Sequence, residues 1–341
     1  MPPRLNPQPM ETDDDLRAAL QNAIALEHAT IPPYLTALLT LSGTSESVEY
    51  AKSEITEVIK EEMLHMTLAC NILNAVGGQP KIADASFVPT YPGTLPMGVA
   101  GDLEVGLRRF SKALVEHTFM EIEKPLKVLP IPDRRHAAAA AEPITIGQFY
   151  AGIAARIDGH PELFTGHADL QVSGVLGAFP VTDVKDALTA IETIVEQGEG
   201  TSKLPLDLQK DVAHFYSFQQ FSKGMRIVHD DSSEFTVSFD PDQPITIDDT
   251  ADVIAMIDDP PLVTYDAADA HAEELSTKAD VLYSDMLRAL QRAFNGDSNA
   301  LGDAVGAMSD LEEAITTLLK VQLTAGPFAG QFAGPRFRYV A

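Results

Sequence analysis

Glutamates set on apolar helical stripes constrain this chain more than any other feature. From Thr12 onward Leu16, Leu20, Ala23, Glu27 and Ile31 fall on one helical face. Ile55, Ile59, Glu62, Met66 and Ala69 share a face in a second segment, and Leu188, Ile191, Val195 and Glu199 do so in a later one. An ionised carboxylate turned into an apolar core is costly unless a cation meets it. The nearest basic residues to Glu62 and Glu199 in sequence are only Lys60 and Lys203. One such glutamate is more often the edge of a stripe or half of an ion pair. Three on three helices imply a helical bundle with carboxylates turned inward on a cation.

Glu62 and His65 are three residues apart, so on a helix they project from one face, one turn apart. A Glu opposite a Glu-x-x-His is half of the ligand set that di-iron and di-manganese helical bundles build in their cores. A lone Glu-x-x-His is a weak signal; its place on an apolar stripe strengthens it. In a third helix Leu107, Phe110, Leu114, His117 and Glu121 share a stripe, which favours Glu121 as an inward carboxylate. Val115, Phe119 and Ile122 form a second strip bordered by Glu123, and periodicity leaves both glutamates open. Glu199 stands between Gly198 and Gly200, where a backbone or ligand can approach closely. His214 follows after a short loop, which would interrupt the fourth helix at the site. His28, His117 and His167 read as ordinary polar residues.

The expected architecture is all-α. The first helix starts at a Thr12–Asp15 capping box, kinks at Pro32-Pro33 and continues to Leu41. The second runs from Ser45 or Ser47 to Gly77-Gly78, and a Pro- and Gly-rich connection over 79–100 follows. The third spans 102–124. An insertion over 128–182 holds a run of alanines and a short helix around 146–157. A fourth helix covers 183–197, and another carries Leu208, Val212 and Phe215. Glu234 to Phe239 alternates like a strand. Helices over 266–294 and 299–323 and an extended tail complete the chain. Residues 12–225 are expected to form the metal-binding domain, and residues 226–341 a C-terminal extension of two helices and the tail.

Fifty acidic residues against 24 basic ones give a formal charge of −26, which repels nucleic acid and anionic membrane. A gel-shift at low salt is therefore expected to show no DNA or RNA binding; micromolar binding that weakens with salt would show that reading to be wrong. No stretch approaches the roughly 18 to 20 apolar residues of a membrane helix. The N-terminus lacks an apolar signal region, and the single Cys70 excludes an internal disulfide and a Cys-rich metal site. A cytoplasmic location is the default expectation.

Five motifs recur in order: Glu27-His28-Ala29-Thr30-Ile31-Pro32-Pro33-Tyr34, Glu61-Glu62-Met63-Leu64-His65, Phe119-Met120-Glu121-Ile122-Glu123-Lys124-Pro125, Ile146-Gly147-Gln148-Phe149-Tyr150 and Glu196-Gln197-Gly198-Glu199-Gly200-Thr201. In series they resemble the ferritin-like domain family found in iminophenyl-pyruvate dimer synthases of bisindole biosynthesis, over residues 15–225. The resemblance implies metal ligation by Glu27, Glu62, His65, a glutamate of the third helix, Glu199 and His214. Its Phe-x-x-Ile-Glu-x-Pro pattern selects Glu123. Those synthases are much larger and carry a haem-associated portion, whereas here the ferritin-like unit is followed by the extension alone.

The function implied is a non-haem di-metal oxidoreductase acting on a small organic substrate in specialised metabolism. Two iron ions are the expected cofactor, with manganese the other candidate, since oxygen and imidazole ligands suit both. The alternative is a metal-binding protein for iron storage or detoxification without organic turnover. A third is a scaffold whose former site is now only structural. Solution size separates the first two: a monomer or homodimer fits the enzyme, a many-subunit shell fits storage.

Overall fold

The computed structural model describes residues 10–129, 131, 144–165, 167–201, 203–207, 209–230, 232, 236–265 and 267–341. Two long helices, α1 (Asp13–Thr40) and α2 (Glu46–Ala75), pack along one another. α1 opens on the capping box: the Asp15 N–H donates to Thr12 Oγ1 at 3.1 Å, and the Thr12 N–H donates to Asp15 Oδ2 at 2.8 Å. Ser45 caps α2 by accepting from the Val48 N–H. Both caps satisfy backbone donors that a helix start leaves free. Leu16, Leu20 and Ile24 of α1 and Ile55, Leu68 and Ile72 of α2 are wholly buried.

α1 runs through Pro32 and Pro33 without ending. Pro33 has no N–H to give the Ala29 carbonyl. The Tyr91 hydroxyl, from the long connection after α2, donates to that carbonyl at 2.8 Å. Tyr91→Phe would leave the carbonyl buried and unsatisfied, a cost of about 1–3 kcal/mol. Urea unfolding would read the loss. A change below about 0.5 kcal/mol would show that another donor serves Ala29.

The third helix is shorter than its sequence pattern suggests. Instead of starting at Asp102 it consists of an α turn (Lys112–Leu114), a π turn (Val115–Phe119) and an α turn (Met120–Ile122), together α3. Backbone groups upstream are taken by distant partners. The Leu107 N–H donates to Asp259 Oδ1 at 3.0 Å and the Phe110 N–H to Thr40 Oγ1 at 2.9 Å, while Gly93 and Val105 form a bridge. Tertiary pairing outcompetes local helix propensity there. The π turn fits one extra residue into its loop, so the stripe read upstream is out of phase beyond it.

Three further helices complete the bundle: α4 (Ile146–Ile157), α5 (Val184–Glu199) and α6 (His214–Lys223). α5 is not interrupted before Glu199; it ends there, with Gly200 at φ 82° as its cap. α6 starts at His214, later than the sequence pattern suggests, because Val212 is paired in a bridge with Leu206. The alternating segment is the second strand of an antiparallel hairpin, β1 (Met225–His229) with β2 (Val237–Pro244). Leu208, Glu234, Phe235, the alanine run and residues 1–9 lie outside the described residues.

Two more helices, α7 (Ala270–Ala293) and α8 (Ala300–Leu318), pack together and dock on the bundle. The Tyr283 hydroxyl is hydrogen-bonded to His28 Nε2 at 2.9 Å, and Asn74 Nδ2 donates to the Phe294 carbonyl at 2.8 Å. Tyr283, Leu287 and Ile315 are buried in the same core as Leu20 and Ile55. Among the described residues no helix is long and apolar enough to cross a membrane.

Candidate metal centre

Five of the six carboxylate and imidazole groups singled out in the sequence converge inside the bundle. Glu27 comes from α1, Glu62 and His65 from α2, Glu123 from the end of α3 and His214 from the first position of α6. Each is no more than 2% exposed. They form two triads, Glu27–Glu62–His65 and Glu62–Glu123–His214, and in each triad one ligand atom per residue lies within 4.8 Å of the others. Glu62 belongs to both. The imidazoles of His65 and His214 stack with ring centroids 5.5 Å apart.

Each carboxylate has one oxygen tied outward. The Tyr150 hydroxyl donates to Glu27 Oε1 at 2.6 Å, and the Tyr34 hydroxyl donates to Glu123 Oε1 at 2.5 Å. Thr30 Oγ1 lies 2.7 Å from both Glu62 Oε2 and the Glu27 carbonyl, so its single proton serves one of them at a time. The opposite oxygens face inward: Glu27 Oε2 is 3.6 Å and Glu62 Oε1 3.9 Å from His65 Nδ1.

The imidazoles repeat the pattern. His65 Nε2 meets Gln197 Oε1 at 2.8 Å, and His214 Nε2 meets Glu61 Oε2 at 2.8 Å. An acceptor at Nε2 holds the proton there and leaves the Nδ1 lone pair pointing inward, the way outer partners orient metal-binding histidines. His214 Nδ1 lies 2.9 Å from Glu62 Oε1 and 3.7 Å from Glu123 Oε2, yet it is buried without a hydrogen bond of proper geometry. Among the described residues no Lys or Arg pairs with Glu27, Glu62 or Glu123; their ionic partners are the two histidines. Three buried carboxylates and an orphaned imidazole nitrogen fit a bound cation.

The titration behaviour reflects this crowding. Burial, with the Glu123 charge beside it, pushes the Glu62 carboxyl up to about 7. Burial pulls His214 down, but Glu123, Glu61 and Glu62 outweigh it and hold the imidazole well above its ordinary range. His65 is likewise pulled down by burial and raised on balance by Glu27 and Glu62. Burial and the neighbouring Glu123 and Glu27 charges, respectively, push the Tyr34 and Tyr150 hydroxyls up, so both stay protonated as donors. Without a metal, the folded cluster thus holds protons more tightly than the same groups would in water.

Glu199 is placed elsewhere. Its carboxylate accepts from the Gly147 N–H at 2.8 Å, at the start of α4, and belongs to neither triad. The carboxylate fills the space a Cβ on Gly147 would need. Burial raises its pKa against the pull of the Gly147 N–H and the Thr145 side chain. What α5 brings to the cluster is Gln197, together with Gly198, where an added Cβ would stand 3.5 Å from Glu123 Oε2. The periodic alternative, Glu121, is exposed and paired with Lys124 at 3.3 Å.

The outer partners Thr30, Tyr34, Glu61, Tyr150 and Gln197 carried no chemistry in the sequence reading. Thr30 and Tyr34 follow Glu27 by three and seven residues, on its own helical face, and that spacing was a usable signal. Glu61, Tyr150 and Gln197 act across the bundle, where spacing gives none.

The chain belongs to the ferritin-like family, whose model matches residues 20–223. A dichlorochromopyrrolate synthase from Lentzea aerocolonigenes is 25% identical over 238 residues, covering 56% of this chain and 23% of that protein. The match thus spans less than a quarter of the synthase. A ferritin-like protein from Caulobacter vibrioides, known from its crystal structure, superposes with a TM-score of 0.64 at 22% identity. That alignment covers 97% of this chain and 100% of the other, so the likeness of fold includes the C-terminal helices.

Proposed function

We propose that the buried cluster is a two-metal centre of an oxidoreductase acting on a small organic substrate. Glu27 and His65 would hold one ion, Glu123 and His214 the other, and Glu62 would bridge them. The observation that carries this reading is the pair of buried triads sharing Glu62, each with an imidazole whose far nitrogen is engaged by an outer acceptor. Carboxylate and imidazole donors suit iron, the metal proposed, and also manganese. Bound as a redox pair, the ions would supply electrons to dioxygen or peroxide.

The chain's own residues set the rest. Tyr34, Tyr150 and Thr30 hold the carboxylates in one orientation, which leaves their inner oxygens little freedom to turn away. The aromatic packing of Tyr34 with Phe119 and Phe218 keeps water from that side. A cleft of about 300 Å³, lined by Leu103, Ile122, Lys124 and Thr145, opens beside the residues that flank Glu123. Its size fits a small organic molecule, and we assign the substrate's approach to it.

The direct test is elemental analysis of protein purified without chelators and then offered iron or manganese. About two ions per chain are expected; fewer than about one would end the reading. Glu199→Ala is expected to keep that metal content, because its carboxylate caps α4. Loss of an ion on this change would return Glu199 to the ligand set. On size-exclusion chromatography the enzyme reading expects a monomer or homodimer, and a shell of many subunits would favour storage instead.

A further inference from the structure

The other cavity of note lies away from the proposed metal centre, at the opposite end of α3. It measures about 310 Å³ and is floored by Phe110, Ala113 and Leu114, with Arg109, His117, Asp249 and Asp258 around it. His117 and Glu123 are six residues apart in sequence, and the two sites share no side chain.

The charges in this cavity are unusual for this chain. With 50 acidic residues to 24 basic ones, carboxylates are in surplus for every cation. Arg108, also on the wall, follows the rule and binds Asp259 at 3.2 Å. Half-buried Arg109 makes no ion pair within 4.0 Å and no hydrogen bond through its side chain among the described residues. Asp249 and Asp258 are equally unpaired and stand exposed on the rim. One cleft thus presents a cation and two anions that do not reach each other, over an apolar floor. A guanidinium offers a fork suited to a carboxylate or similar anion, and aspartates suit an ammonium. Two of the lining residues, His117 and Thr118, belong to the π turn, a distortion that frequently marks functional positions.

We propose that this cleft binds a small zwitterion with an apolar body. Its anionic group would sit on Arg109, its amine would sit between Asp249 and Asp258, and its body would rest on Phe110 and Leu114. The site would be separate from the metal centre and independent of its loading.

Isothermal titration of the full chain with L-phenylalanine, phenethylamine and 3-phenylpropionate tests this. The amino acid is expected to bind with a dissociation constant of about 1 mM or tighter, and each half-probe roughly tenfold more weakly. Arg109→Gln should weaken L-phenylalanine and 3-phenylpropionate at least tenfold and leave phenethylamine unchanged. The Asp249→Asn, Asp258→Asn double variant should do the reverse for the two half-probes. Glu62→Ala should leave L-phenylalanine binding as it was. No binding up to about 10 mM, equal binding of amino acid and half-probes, or indifference to Arg109→Gln would overturn the proposal. Loss of binding in Glu62→Ala would overturn it too, by placing the ligand at the metal cluster.

Discussion

Glu62→Ala is expected to empty both metal positions at once. Glu62 is the one carboxylate common to the two triads, and it alone would neutralise charge on both ions. Metal per chain should fall from about two to well under one. His65→Ala and Glu123→Ala each remove a group from a single triad, so about one ion should remain in each. Glu121→Ala, which removes only an exposed partner of Lys124, should change nothing. The helical fold should survive these changes, because alanine favours helix and each replaced side chain sits in or beside one. Circular dichroism alongside plasma emission metal analysis reads both. A polar core that merely satisfies itself by hydrogen bonds makes the contrary forecast: no metal in the parent and equal destabilisation by Glu62→Ala and His65→Ala. If Glu62→Ala retained as much metal as His65→Ala, the bridging role would be wrong even if the centre exists.

The long helices were legible because their signals are local. A capping box, a 3.6-residue stripe and a terminal glycine are all written within one or two turns, and α1 and α2 follow from them. The α3 region was not, for two physical reasons. Residues 102–110 give their backbone groups to Asp259, Thr40 and Gly93, partners far away in sequence. The π turn then breaks the phase on which the case for Glu121 rested. Glu123 was reached through a family pattern, which carries the consequence of the bulge without explaining it. Glu199 shows a different limit of periodicity. Its stripe turns toward the bundle interior, but the stripe does not reveal that the α4 N-terminus lies closer than the cluster. The continuous course of α1 through two prolines likewise depends on Tyr91, contributed by a connection whose path no periodicity describes.

The metal-free protein is expected to lose stability as pH rises from about 6.5 to 8, and the loaded protein is not. Glu62 has its folded pKa raised from 4.5 to about 7 by burial and by Glu123, and His65 and His214 are raised by the carboxylates around them. The folded cluster therefore holds more protons than the unfolded chain does above the unfolded values. A group raised in this way contributes stability that is complete below its unfolded pKa and lost as pH passes its folded one. For Glu62 the shift corresponds to a loss on the order of 3 kcal/mol, most of it between pH 4.5 and 7 with only the end of it in this window. Above pH 6.5 His65 and His214 therefore carry most of the fall. His28 works in the other direction, since burial lowers it to about 4 and its contribution is lost in acid; it has no further effect above pH 6.5. Exposed aspartates held low by hydrogen bonds, such as Asp15 with Thr12 and Asp84 with Ser86, titrate lower still. Burial also raises Glu199 and Asp280, which act in the same direction, so the cluster is identified as the part of the change that a bound cation removes. A bound cation replaces the cluster's protons and binds more tightly as they leave, so loading should flatten or reverse the slope. Melting curves in chelator should therefore drop by a few degrees across the window, while those with manganese(II) hold or rise, and the gap should widen with pH. A chelated protein whose melting temperature is flat or rising over the same window would mean that the folded cluster does not hold these protons, and the charge argument for a metal at this site would lose its footing.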